Sequence, residues 1–273
     1  MNTSRILYKY LSPGRETYFT NELLRFTQPS CLNDPFECLP VVQIANLNKY
    51  LDDINERNRG RILLEFGHIP RIEKLIEKGE KEILKKHKKD PNVLLKFILK
   101  SYLSNANKTI GIFSLSRRWD SVLMWAHYTE AHSGFCVGYN SQHPFFRRQP
   151  DDPRDIGAVA PVAYETSRLT VQMDKANAID YPLFYRKSKD WQYEEEERLI
   201  RKLKGAHSTI QAVPYNICLF NVPHAAIAEI IYGVNASDSL KSKILDIGKK
   251  LKISVWESVI SRTTFNMERM QIR

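Results

Sequence analysis

Apolar and polar positions change their period along the chain. Ile6-Leu7-Tyr8-Lys9-Tyr10-Leu11 is rich in β-formers and ends at Ser12-Pro13-Gly14, which predicts a strand and then a turn. Leu23-Leu24-Arg25-Phe26-Thr27 reads as a second short strand, halted by Gln28-Pro29. Over residues 45–107 the pattern becomes helical. Ile62, Leu63, Phe66, Ile69, Ile72, Leu75 and Ile76 recur at helical spacing, as do Val93, Leu94, Phe97, Ile98 and Tyr102. Gly60, Gly67-His68-Ile69-Pro70 and Asp90-Pro91 divide this stretch into about three helices. Strand patterns return at 109–116, 134–139 and 159–164, with a short amphipathic helix at 121–129. Further strands are expected at 216–220, 228–233 and 253–260, and a helix at 240–251. No repeat or low-complexity linker interrupts the chain. The pattern therefore predicts an α+β fold: one domain over 1–273, a mixed or antiparallel split β-sheet body with a helical insertion at 45–107.

Composition narrows the function classes. With 42% hydrophobic and 11% aromatic residues the chain can bury a core, which excludes wholesale disorder. No apolar run approaches the roughly 18–20 residues of a membrane helix. The N-terminal sequence has no signal-peptide h-region, and Cys31, Cys38, Cys136 and Cys218 form no CxxC pair. A cytoplasmic protein without a membrane partner is expected. The net charge is +10, and residues 47–108 carry 15 basic against 9 acidic residues, more than half of that excess. Such a field attracts polyanions. Lys85, Lys86, Lys88 and Lys89 are thus candidates for nucleic-acid contact, although the same run also suits the negative end of a solvated helix.

Candidate chemistry concentrates in four places. If 191–200 is a strand, period two puts Glu194, Glu196, Arg198 and Ile200 on one face. Two carboxylates on one face repel each other unless a cation or ligand sits there. The alternative is an exposed element with a weak Glu194–Arg198 pair. Ser114 and Ser116 alternate with Phe113 and Leu115, so both hydroxyls face one side and could hold a phosphate or ribose oxygen, or simply lie on a strand surface. His127, His132 and Cys136 lack the spacing of a metal set, and no metal is expected; His127 or Tyr128 could line a pocket. Asn33-Asp34-Pro35-Phe36-Glu37 is a turn whose carboxylates could face a ligand. There is no GxxxxGK[ST], GxGxxG or GxSxG, which removes P-loop, Rossmann and serine-hydrolase readings.

Four blocks in order carry a resemblance: Leu7-Tyr8-Lys9-Tyr10; Asn33-Asp34-Pro35-Phe36-Glu37; Phe113-Ser114-Leu115-Ser116 with Met124-Trp125-Ala126-His127-Tyr128 and His132-Ser133-Gly134-Phe135-Cys136; and Lys189-Asp190-Trp191-Gln192-Tyr193-Glu194-Glu195-Glu196-Glu197-Arg198. Together they resemble the bacterial domain of unknown function 2971 over about residues 7–233. More distantly, their order is similar to that of ADP-ribosyltransferases, which place a His or Arg on an early strand, a Ser or Tyr strand in the middle and a Glu-x-Glu late. Here Lys9 or Tyr8 stands at the first position, a departure from that pattern.

What the resemblance implies is an NAD-using transferase, a bacterial toxin or phage-defence effector. Cleavage of the nicotinamide–ribose bond passes through an oxocarbenium-like state that a carboxylate stabilises. Glu196 would be the ribose carboxylate and Glu194 the group that orients or deprotonates the acceptor. Tyr8, Lys9, Ser114, Ser116, His127, Tyr128 and Tyr193 would support NAD. Two other classes remain open: a nucleic-acid-binding or metal-dependent nucleic-acid-processing module, and a non-catalytic partner-binding protein. Nucleic acid could also be the acceptor.

Overall fold

The computed structural model describes residues 5–149, 151–152, 155–172 and 181–272, and shows an α+β fold with mixed and antiparallel sheets, as expected. The chain divides into two compact units. The first comprises Met1–Glu37, Ala106–Thr166 and Tyr185–Arg273; the second comprises Cys38–Asn105 and Ser167–Phe184.

An eight-stranded sheet forms the first unit. Its strands are β1 (Ile6–Leu11), β2 (Ile110–Ser116), β3 (Phe135–Asn140), β4 (Ala160–Pro161), β5 (Glu196–Lys202), β6 (Ile227–Tyr232), β7 (Ser254–Ile260) and β8 (Met267–Gln271). They are ordered β8-β7-β6-β3-β1-β2-β5-β4. Within this sheet, among the described residues, only β6 and β7 pair in parallel, joined through the helix Asp238–Leu251. That helix begins where the Ser237 hydroxyl accepts from the Leu240 amide.

Period two sorts the strand residues between two faces. Leu7, Leu11, Phe113, Leu115, Val137, Tyr139, Leu199, Ile230 and Val255 pack with Leu240 and Ile244 of the helix. Leu24, Phe26 and Phe220, from a separate sheet of Ser208–Ile210, Ile217–Asn221 and Leu23–Phe26, join the same core. On the other face, Tyr8, Tyr10, Cys136 and Ile231 receive Met124 and Trp125 from the helix Val122–Tyr128. Trp125 is fully buried, edge-on to Tyr10 at 5.3 Å, and its indole donates to the Trp119 carbonyl at 2.7 Å. This large aromatic anchor fixes the helix against the sheet.

The sheet has one weak seam. β2 pairs with β5 along seven residues, from Glu196↔Ser116 to Lys202↔Ile110, and β1 pairs with β3 along six. Between them, β1 and β2 share the single registered pair Tyr8↔Ser116. The Lys9 ammonium donates to the Ser114 carbonyl at 2.9 Å, so a side chain occupies the place of the next rung.

The second unit is mainly helical: Leu47–Phe66, Ile72–Lys89 and most of Pro91–Thr109. The Asn46 side chain caps the first, accepting from the Lys49 amide at 3.0 Å. Arg71 in the left-handed region and Pro91 mark the later breaks, whereas Gly60, expected to interrupt, lies inside the first helix. Gly lacks a side chain but keeps its amide donor, so neighbouring turns can carry it. Val42, Tyr50, Leu94 and Ile98 form a small core beside the parallel pairing of Val41–Gln43 with Thr170–Gln172.

Candidate active site

A cavity of about 200 Å³ opens in the first unit at the seam between β1 and β2. Its lining includes Tyr8, Lys9, Ser114, Ser116, Tyr128, Lys187, Glu194, Glu196, Glu37 and Asn33. Tyr8, Ser116 and Glu196 stand on one rung across β1, β2 and β5, which explains how distant parts of the chain meet.

The glutamate run does not form one continuous strand, contrary to the sequence expectation over 191–200. A 3₁₀ helix, Lys189–Glu194, carries Glu194 at its last position, and β5 starts only at Glu196. Glu195 between them is left-handed, with φ 42° and ψ 50°. That reversal breaks the alternation, yet it brings Glu194 and Glu196 to one ammonium. Lys187 lies 2.5 Å from Glu194 Oε2 and 3.2 Å from Glu196 Oε2. It is held on a short strand, Arg186–Ser188, paired in parallel with Ala163–Glu165. The Tyr164 hydroxyl accepts from the Glu196 amide at 2.7 Å and secures the start of β5.

Arg198 finds carboxylates on its own strand and on the polar turn. It grips Glu196 in a two-pronged contact, with Nε and Nη2 each 2.8 Å from a carboxylate oxygen, and also pairs with Glu37. Arg198 is fully buried. Glu37 comes from the polar turn, where the Asp34 carboxylate accepts from the Phe36 amide at 2.9 Å. Asp34 is itself buried, and its Oδ2 has no hydrogen-bond partner among the described residues. Four carboxylates, from Asp34, Glu37, Glu194 and Glu196, thus accompany three cations, Lys9, Lys187 and Arg198. A ligand atom that bears or gains positive charge is favoured here.

Proton affinities follow from burial and partners. Burial pushes the Glu196 carboxyl above its ordinary range, while Lys187 acts to lower it. Burial disfavours the Lys187 charge, but Glu196 and Glu194 outweigh it and hold the ammonium more firmly than usual. The Tyr128 hydroxyl is raised by burial and by Glu194, so it remains a donor, reaching Glu194 Oε1 at 2.5 Å. Tyr128 in turn accepts from the Asn33 amide group at 2.9 Å. Lys9 has its pKa lowered to about 8, chiefly by burial, against the pull of Glu196 and Glu194.

The other candidates fall in different places. The Ser116 hydroxyl donates to the Glu194 carbonyl at 2.6 Å, so it braces the turn instead of offering its proton to a ligand. Ser114 supports the Glu196 carboxylate. Tyr8 lines the cavity, but its hydroxyl donates to Glu229 at 2.9 Å. His127 is exposed and within 3.2 Å of the Tyr193 hydroxyl, and neither residue is in the cavity lining. His132 stacks on Trp125, and Cys136 is buried in the core. In the second unit, Lys85, Lys86 and Lys89 are exposed on the helix Ile72–Lys89; the Lys88 side chain lies outside the described residues. No helix among the described residues is long and apolar enough to cross a membrane.

Sequence reasoning missed Lys187 and offered Arg198 a pair with Glu194, where the structure shows Glu196 and Glu37. The signal available was the need of a glutamate run, set between aromatic Trp191 and apolar Leu199-Ile200, for nearby cations.

Residues 124–199 match the model of a family described as a protein of unknown function, DUF2971. The matched stretch holds Tyr128, Lys187, Glu194, Glu196 and Arg198, while the blocks around Tyr8 and Asp34 lie outside it. No curated protein and no solved structure matches the chain.

Proposed function

We propose that this protein cleaves the nicotinamide–ribose bond of NAD and transfers the ADP-ribosyl group to an acceptor. The observation that carries the reading is the convergence of Glu194 and Glu196 in a cavity whose buried groups hold more carboxylates than cations. The pyridinium of NAD is a permanent cation. When its bond to the ribose breaks, the electron pair goes to the ring nitrogen and positive charge moves onto the sugar. A carboxylate already in position stabilises that charge without reorganising.

The geometry favours Glu194 over Glu196 as the group nearest the reacting sugar. Glu196 is engaged by Arg198, Lys187 and Ser114, so it acts as a fixed anchor for the cations. Glu194 accepts from Lys187 and Tyr128 and keeps acceptor capacity for a ribose hydroxyl. Lys9 and Ser114 complete the polar wall.

Release of nicotinamide from NAD, measured with and without nucleic acid and cell extract, tests this reading. Glu194→Gln should lower the rate by about 10²–10³-fold, the usual cost of losing one transition-state partner, with the circular dichroism spectrum unchanged. Absence of nicotinamide release from the wild type under every condition would overturn it.

A second reading rests on the helix Ile72–Lys89. Lys74, Lys78, Lys81 and Lys85 follow one side of it, relieved by Glu77 and Glu82, and Lys85, Lys86 and Lys89 are exposed. Such a track suits nucleic-acid phosphates, as ligand or as acceptor. Neutralising Lys85, Lys86, Lys88 and Lys89 should then weaken binding and flatten its dependence on salt. Unchanged binding in that variant would remove the track from the picture.

A further inference from the structure

Two lysines line the cavity, and their surroundings differ. Lys187 is gripped by carboxylates, whereas among the described residues no carboxylate is in ion-pair contact with Lys9. The Lys9 ammonium has three donors, and the bond to the Ser114 carbonyl at 2.9 Å uses one. Its other near neighbour is the face of Phe113, 4.8 Å from the ring centroid. The side chain retains partial exposure, so a molecule in the cavity can reach it. A lysine held this way is a poor structural cation and a good nucleophile.

We infer that Lys9 is an imine-forming nucleophile whose partner is the carbonyl of a small uncharged hydroxyaldehyde or aldose. With Lys9 as the free amine, Asp34, Glu37, Glu194 and Glu196 outnumber Lys187 and Arg198, which disfavours an oxo acid whose carboxylate adjoins the carbonyl. Asn33, Ser114 and Tyr128 offer hydrogen bonds to hydroxyl groups. About 200 Å³ accommodates a short polyhydroxylated chain, being several times the roughly 30 Å³ that a water occupies in the liquid.

The step balances without an oxidant or reductant. The unprotonated Lys9 amine adds its lone pair to the carbonyl carbon, and the oxygen takes a proton to give a carbinolamine. The C–O bond then breaks, the hydroxyl leaves as water after a second protonation, and a protonated imine remains. Overall, ammonium and aldehyde give iminium and water. The lowered Lys9 pKa of about 8 supplies free amine near neutral pH. Glu196 and Glu194 face the ammonium and favour its charge, while Arg15 opposes it. This inference stands whether or not the cavity accepts NAD.

The test is reductive trapping. The full chain is incubated with glyceraldehyde and cyanoborohydride at pH 8, digested, and its lysine-bearing peptides quantified by mass spectrometry. Lys9 should be labelled at least tenfold faster than the exposed Lys85 and Lys86 of the same molecule, with a rate that rises through about pH 8. Glyoxylate, which carries a carboxylate, should show no such preference. An ordinary partly buried lysine would be labelled more slowly than the exposed ones. Labelling of Lys9 at or below the rate of Lys85 and Lys86, or equal preference with glyoxylate, would overturn the inference. Because the reference lysines are in the same chain, no variant need fold for the result to count.

Discussion

Replacing Lys187 by Met removes one positive charge while keeping an unbranched apolar side chain of similar length. Lys187 is 8% exposed, and the ammonium that is deleted lies 2.5 Å from Glu194 and 3.2 Å from Glu196. At an effective dielectric of about 20, each contact is an attraction of roughly 5–7 kcal/mol. Desolvating the charges costs several kcal/mol per ion, so the net loss on breaking such a buried arrangement is about 3–5 kcal/mol. That is a large share of the roughly 5–15 kcal/mol that stabilises a typical domain. Urea unfolding followed by tryptophan fluorescence at pH 7.5 reads the loss directly. The penalty should also depend on pH. Without Lys187, burial acts on Glu196 unopposed by that ammonium, and its folded-state pKa rises further above the unfolded value. Stability contributed by the protonated form is present at low pH and is lost as pH rises through the folded pKa. Lys187→Met should therefore approach the wild type as pH falls from 7.5 to 5, and adding Glu194→Gln should recover part of the loss at pH 7.5. A penalty below about 1 kcal/mol, or one that is the same at pH 5 and pH 7.5, would refute the reasoning.

Other expectations follow from single contacts. Tyr128→Phe deletes the donor to Glu194 and the acceptor for Asn33, and should cost about 1.5–3 kcal/mol in urea unfolding, the range for a hydrogen bond to a charged group. Gly134→Ala would put a Cβ 2.1 Å from the Leu11 carbonyl oxygen, a backbone atom that cannot turn away; a loss of 1–3 kcal/mol or more is expected, seen as a lower melting temperature. Lys9→Met tests linkage. The folded pKa of Lys9 is about 8, below the unfolded value of roughly 10.4, so the unfolded chain binds more protons between them. Wild-type stability relative to Lys9→Met should rise with pH across that window, and a flat difference would contradict the lowered pKa.

The elements were legible wherever periodicity and turn residues agreed. The β-forming residues of Ile6–Leu11 and the Pro-Gly that follows mark β1, and Pro70 and Pro91 divide the helices. Lateral order was not legible, because nothing local states that β2 lies between β1 and β5. The same limit hid Lys187, whose strand pairs with the distant Ala163–Glu165. Repulsion between Glu194 and Glu196 called for a cation but did not say which one. The strand reading of 191–200 failed over 191–195, where a 3₁₀ helix runs to Glu194 and Glu195 then turns left-handed, a backbone state that no residue type in the run announces.

The most direct measurement of the proposed function is saturation-transfer NMR of NAD with the full chain. In the proposed reaction the nicotinamide–ribose end of NAD sits in the cavity of about 200 Å³, beside Glu194. Saturation should be strongest on the nicotinamide and adjoining ribose protons, weaker on adenine, and reduced in Glu194→Gln. Absent transfer, or transfer confined to adenine and unchanged in Glu194→Gln, would contradict the placement of the scissile bond beside Glu194.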